Sequence, residues 1–443
     1  MLRSRQAFVV LYGLLGPIAV LLLILTVPPY QVADEVAHFK RVEQLSRAEI
    51  FGSRAGRSAG GVVNAGIDAT AAAYANLPAH PEEKVQTDEA RRVAPIRWST
   101  RGYASSDFAN TVVYPPTFYL PAVSGVLIGR WLDLPVVETL ALARALSGMV
   151  SVAVCVLALS LAGSAAPFLF AILSLPMSLF QIASVSQDGG LIALSALAVA
   201  IFVRGREQHE AFPGFIVLSC LIALIAASRP PYIVLSILLL LYPGRSMRAR
   251  LAAVMTVGAC VTAWAYLVSD LAPFSAAPGA DPHAQIESAL ANPARVAWIL
   301  WRSINIGFVE TLVGRLGWLD TRLPIPFIAA SIAMLGVAAI ATAGLRHERP
   351  PETVAVLAIL LAAAAGLILL LGTLYVMWTA PGMISIPGVQ GRYFIPLAML
   401  IAAAIPAAKT RLAVLLARRP LVVGAFLPIS IFVTTVAIIQ RYY

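Results

Sequence analysis

Charge is what this sequence has least of. Asp, Glu, Lys and Arg together make up 12% of its 443 residues, against about 25% in soluble domains. Hydrophobic residues make up 59%. That excludes an ordinary soluble protein and points to an all-α polytopic membrane protein. Histidine is scarce too, with five residues, and there are three cysteines. Cys155, Cys220 and Cys260 all lie inside apolar runs, which excludes a disulfide framework or a cysteine metal cluster. No small-residue cleavage site follows the first apolar run, so a retained helix is expected there, not a signal peptide. The net charge of +10 does not imply nucleic acid, because the basic residues sit in short loops between apolar runs. They read as topology signals.

Eleven apolar stretches are candidate spans: 7–27, 138–162, 166–185, 189–203, 212–228, 231–243, 251–270, 324–345, 353–377, 393–408 and 420–438. Arg3 and Arg5 put the N-terminus in the cytoplasm. The basic loops at 204–206, 245–250, 346–349 and 409–419 belong on the same side. Counting 115–132 as a twelfth span would move Arg204 and Arg206 outside. That stretch, PPTFYLPAVSGVLIGRWL, is therefore expected to lie at the outer interface, where its aromatic residues suit the depth.

The chain then divides into a first helix (1–27), a large outer segment (28–137), a bundle (138–270), a second outer segment (271–323) and C-terminal spans (324–443). The large segment holds interfacial helices near 33–50 and 115–132. It also holds 11 of the 22 acidic residues. Its middle, SRAGRSAGGVVNAGIDATAAAYA, is small and Gly-rich and is expected to be irregular. The second outer segment has amphipathic helices with Trp298, Trp301 and Trp318.

Chemistry is expected where polar residues meet the outer mouths of spans. Asp34 and Glu35 follow the first span, with His38 three to four residues on and Arg41 beyond. On a helix over 33–50 these side chains share a face, and Val36, Phe39, Val42 and Leu45 form an apolar edge to lie on the membrane. Either acid could act as a general base, with His38 and Arg41 organising polar partners. The plainer alternative is a helix start, with Asp34 as cap and Glu35 complementing the dipole. Asp188 lies in SVSQDGG, where Gln-Asp-Gly-Gly is also good turn chemistry. Arg392, in VQGRYFIP, can snorkel or can grip a lipid phosphate. Gln390 and Tyr393 flank it as polar and stacking partners. Arg229, in SRPPY, is a second phosphate candidate. DEVAH has one histidine and so is not a zinc-protease motif. A divalent metal would have to draw on Asp34, Glu35, His38 and Asp188, and no cofactor is otherwise indicated.

The pieces PPYQVADEVAHFKR, YPPTFYLPA, SVSQDG, SRPPY and QGRYFIPL, in that order, resemble the bacterial membrane family called domain of unknown function 2142. That family is grouped with the GT-C glycosyltransferases. In this chain Tyr30 to Ala33 intervene between the prolines and the acids. The resemblance implies a bacterial inner-membrane enzyme that moves a sugar from a polyprenyl-phosphate donor to a glycan or lipid acceptor on the outer face. It implies catalytic acids at Asp34 or Glu35 and at Asp188, with Arg392 and Arg229 on the donor phosphate. Rival readings are a lipid-linked sugar flippase, a polymerase or ligase using a pyrophosphate-linked donor, and a non-catalytic scaffold.

Overall fold

In lipid every backbone polar group must be paired within the chain, so apolar runs of this length fold as helices. The computed structural model describes residues 2–56, 58–208, 213–272, 279–346 and 353–443. Residue 212 of one expected span, 273–278 of the second outer segment, and His347, Glu348 and Arg349 of one basic loop lie outside the described residues. The described chain is mostly helical.

Among the described residues, seven helices are long and apolar enough to cross a membrane: Gln6–Thr26, Val136–Leu161, Gln187–Gln208, Met247–Leu267, Ile325–Leu345, Thr353–Trp378 and Pro420–Tyr442. The count reaches nine if each of two bent helix pairs is one span. The expected span 166–185 is one such pair, Gly163–Leu173 and Pro176–Ile182, bent by 82°. Pro176 sits at the start of the second helix, where its missing N–H costs nothing, and ends the first. The other pair, Pro293–Ser303 and Gly307–Val313, falls in the second outer segment. The expected spans 212–228, 231–243 and 393–408 are shorter apolar helices, Pro213–Ser228, Pro230–Leu240 and Gly391–Ala404. Proline explains two of these breaks: Pro230 and Pro396 each open a new short helix inside an apolar run.

The large segment after the first helix is folded, not irregular. Strands Ser53–Ala55, Ser58–Asn64 and Tyr103–Asp107 form an antiparallel sheet in that order. By composition the middle strand passes for a linker. Ala59 and Val63 nevertheless point to one face and pack with Phe108, Val112 and Leu271 in a small core. The 115–132 stretch forms a tight turn, Pro116–Tyr119, and the helix Leu120–Trp131. Twelve residues rise about 18 Å, short of the roughly 30 Å hydrocarbon core.

The expected 33–50 helix runs from Glu35 to Ser46. Its apolar edge does not lie on the membrane. Phe39 and Val42 are fully buried in the protein core with Trp98 and Tyr119, because the Leu120–Trp131 helix covers it. Arg130 of that covering helix pairs with Glu43 and lies 4.6 Å over the Trp98 ring. At the far end of the chain, Arg441 donates to the carbonyls of Leu77, His80 and Glu83. The last helix therefore ends against the same large segment that the first helix enters, so the two chain ends lie at opposite ends of the bundle.

Candidate functional site

Five stretches far apart in sequence converge on one cavity of about 380 Å³. They bring Asp34, Tyr114, Asp188, Arg229 and Arg392 to its wall. These are the stretches that stood out in the sequence, now joined by side-chain contacts.

The two adjacent acids part ways. Tyr30 to Ala33 are not slack: Gln31 N donates to Pro28 O and Glu35 N to Val32 O, giving two successive turns. Tyr30 and Asp34 both have positive φ, 64° and 66°. Asp tolerates that conformation better than Tyr. Tyr30 is held in it from both ends, its hydroxyl 2.6 Å from Thr70 Oγ1 and its carbonyl accepting from Trp318 Nε1 at 3.0 Å. The bend turns Asp34 into the cavity and Glu35 into the bundle.

Asp34 makes no cap hydrogen bond to the helix it precedes. Its carboxylate instead accepts from Asn110 Nδ2 at 3.3 Å and from Arg392 Nη2 at 3.4 Å, and its side chain keeps 38% exposure. Glu35 is fully buried and outside the cavity lining. Arg144 grips both of its oxygens, Nε donating to Oε1 at 2.8 Å and Nη2 to Oε2. The same guanidinium donates to Val27 O and Pro28 O at 2.9 and 3.0 Å, just past the end of the first helix, where Pro28 O also accepts from Gln31 N.

Asp188 is not in a turn. It is the second residue of the Gln187–Gln208 helix, where an acid suits the dipole. The glycine after it serves packing: a Cβ on Gly189 would lie 2.7 Å from Gln181 O. Asp188 Oδ1 is 2.9 Å from Arg229 Nη2, and Oδ2 is 3.9 Å from Arg392 Nε. Arg392 thus bridges Asp188 and Asp34. It is 5% exposed, and its Nε has no hydrogen-bond partner among the described residues. Tyr393 organises both arginines. Its ring lies 4.3 Å from the Arg229 guanidinium, and its hydroxyl accepts from Arg392 Nη2 at 3.1 Å. Gly391 seats this stretch, since a Cβ there would collide with Phe308 O.

The supporting residues divide in the same way. His38 lines the cavity with its Nδ1 2.7 Å from Tyr119 Oη and its ring stacked on Tyr114. Burial lowers His38 to about 4, against the pull of Asp34 and Asp188, so it is neutral at physiological pH. Gln390 lines the cavity, and its Oε1 has no hydrogen-bond partner among the described residues. Arg41 lies outside the lining. It donates to Gln44 Oε1, Ile50 O and Tyr114 O, and burial lowers it to about 10. Its role is to hold the loop after its own helix.

The depressed His38 value sets a pH expectation. Unfolded histidine titrates near 6.5, so between there and about 4 the unfolded chain binds the proton more tightly. The stability of keeping His38 neutral is present above 6.5 and is lost as pH falls through 4. Thermal unfolding followed from pH 7 to pH 4 should show this loss, and it should be shallower in His38→Gln.

The family described as Predicted membrane protein (DUF2142) matches residues 18–401, most of the chain. The protein belongs to that family. No curated protein and no solved structure gives a significant match. The matched part of this DUF2142 protein takes in every polar residue of the cavity, while the Pro420–Tyr442 helix lies beyond it.

The structure also adds cavity residues that sequence reasoning missed. Asn110, Tyr114, Trp318 and Trp378 line the DUF2142 cavity. Leu370, Thr373 and Leu374 give it an apolar wall on the Thr353–Trp378 helix. Tyr114 opens the YPPTFY stretch, which stood out, but its stacking on His38 leaves no signal in spacing. The Glu35–Arg144 pair was more legible: an arginine inside an apolar run needs an acidic partner, and Glu35 lies at the mouth of the preceding span. Among the described residues no group of three or more His, Cys, Asp or Glu is placed to hold a metal. Glu35 in particular is turned away from Asp34, His38 and Asp188.

Proposed function

We propose that this protein is a GT-C-type glycosyltransferase. It would move a sugar from a polyprenyl-phosphate donor to a glycan or lipid acceptor at the outer face of the bacterial inner membrane. The observation that carries this reading is one cavity with three parts: an accessible carboxylate, one buried and one part-buried guanidinium, and an apolar wall on a membrane-length helix. That combination suits an amphipathic anion, with its tail along Leu370 and Leu374 and its phosphate at Arg392 and Arg229. The finer topology belongs to the same reading: eleven crossings, with the three short helices and the bent pair Gly163–Leu173 and Pro176–Ile182 completing the seven long ones, and the N-terminus in the cytoplasm.

In the proposed step, Asp34 takes the proton of an acceptor hydroxyl as its oxygen bonds to the anomeric carbon. The bond from that carbon to the phosphate oxygen breaks, and the phosphate leaves with the electron pair. Arg392 and Arg229 stabilise the charge as it grows. A single displacement inverts the anomeric centre. Asp188, held between both arginines, acts as a positioning residue that fixes their forks. Neutral His38 and its Tyr119 partner shape the wall beside Asp34.

The arginines provide the test. A charge-assisted hydrogen bond contributes about 1.5–3 kcal/mol, so Arg392→Ala should raise the KM for donor by about tenfold to hundredfold. Arg392→Lys keeps the charge but loses the fork and should recover only part of this. The measurement is glycan transfer in membranes matched for protein level. An unchanged donor KM in Arg392→Ala would remove the phosphate role.

A further inference from the structure

Beside the Asp34 cavity lies a second one of about 350 Å³, at the small end of ligand-binding cavities, about 300–1,000 Å³. Trp318 lines both. The chain before and into the Glu35–Ser46 helix also divides them: Ala33 and Asp34 line the first cavity, Gln31 and Val36 the second. A ligand in the second cavity is therefore one indole and one backbone bend away from Asp34.

The two linings differ in chemistry. The first holds arginines. Among the described residues lining the second, none is cationic, so it does not suit a phosphate. Its polar lining is an amide, a carboxylate and aromatic rings: Gln31, Asp68, Tyr30, Tyr74 and Trp318. Rings offer flat apolar faces, and the amide and carboxylate accept from hydroxyls. The rings are fixed in advance, since Trp318 Nε1 donates to Tyr30 O and the Tyr30 hydroxyl meets Thr70. Asp68, at the exposed rim, pairs with Lys40 at 2.6 Å and accepts from Ser106 Oγ at 3.3 Å.

Gln31 is the second, independent observation. It is 1% exposed, and its Nε2 donates to Tyr74 O at 3.2 Å. Among the described residues its Oε1 has no hydrogen-bond partner. A buried acceptor left open in a cavity lining is a cost that a ligand hydroxyl relieves.

We infer that this second cavity binds a neutral, hydroxyl-rich sugar ring, and that it is the acceptor's seat. The word acceptor rests on the transfer reading above; the sugar-binding claim does not. A carbohydrate, not a lipid, is then the acceptor class, and its hydroxyl reaches Asp34 past the edge of Trp318.

Saturation-transfer NMR on the purified full-length protein in detergent tests this, with methyl hexosides and methyl disaccharides as probes. Saturation should reach ring protons in the wild type and equally in Asp34→Asn. Binding should weaken by about tenfold in Gln31→Leu, the loss of roughly one hydrogen bond, and similarly in Trp318→Phe. Thermal unfolding midpoints equal to the wild type guard against misfolding, and Asp68→Asn, which keeps an acceptor for the buried Lys40, should also weaken binding. Absence of saturation for every probe would overturn the inference, as would equal binding in all three cavity variants. Binding lost in those variants while Asp34→Asn still transfers sugar would support the cavity and sink the base.

Discussion

Asp34→Asn should lower glycan transfer by about 10²- to 10⁴-fold, the usual contribution of a positioned general base, in protein that folds normally. The amide is nearly isosteric with the acid, and its one oxygen can still accept from Arg392 while its NH2 donates to the Asn110 amide turned over. Asp34 lies in a half-open cavity, so its loss leaves no void. It is the carboxylate from the first outer segment that the cavity presents; the neighbouring Glu35 is turned into the bundle. The check is transfer in membranes carrying equal amounts of wild type, Asp34→Asn and Asp188→Asn. Asp188→Asn should lose less in kcat than in donor affinity, because its partners are the two arginines. Full activity in Asp34→Asn would remove the proposed base.

Glu35→Ala or Arg144→Ala should cost stability, about 3–5 kcal/mol, because each leaves a buried charge without its partner. Both side chains are almost fully buried. Arg144 also donates to Val27 O and Pro28 O just past the first helix, so its loss takes a donor from both, and of the two Pro28 O keeps Gln31 N. Replacing both together, Glu35→Leu with Arg144→Met, should recover much of the loss, since a paired apolar swap removes both desolvation costs. Thermal unfolding midpoints in detergent would read this order: wild type and double variant close together, single variants well below. Single variants as stable as the wild type would contradict the buried pair. The contrast with Asp34 is the useful part, because adjacent acids then fail in different ways.

The sequence carried the class and the approximate place of most spans. Apolar length is a strong signal when every backbone group must be paired inside the chain. Seven long helices were legible for that reason. The bend at Pro176 and the short helices at Pro230 and Gly391 were not, because hydropathy does not register a helix that ends inside an apolar run. Composition misread 53–64 as irregular, since the alternation of Ala59 and Val63 is faint among glycines and serines. The candidate residues Asp34, Asp188, Arg229 and Arg392, picked out for lying at the ends of apolar runs, share one cavity. Which acid faces that cavity was not legible. It depends on two left-handed residues, Tyr30 and Asp34, and on contacts from Thr70 and Trp318 that lie far off in sequence. Gly189 reads as a turn residue, whereas it makes room for a neighbouring backbone.

The most direct test is to incubate the purified protein with radiolabelled polyprenyl-phosphate sugars and a panel of soluble glycan acceptors. Label should pass from one donor to an acceptor with inversion at the anomeric carbon, and Asp34→Asn should bind that donor without transferring it. Donor that binds the wild type and stays unreacted with every acceptor would contradict a transferase and leave a carrier or scaffold for lipid-linked sugars.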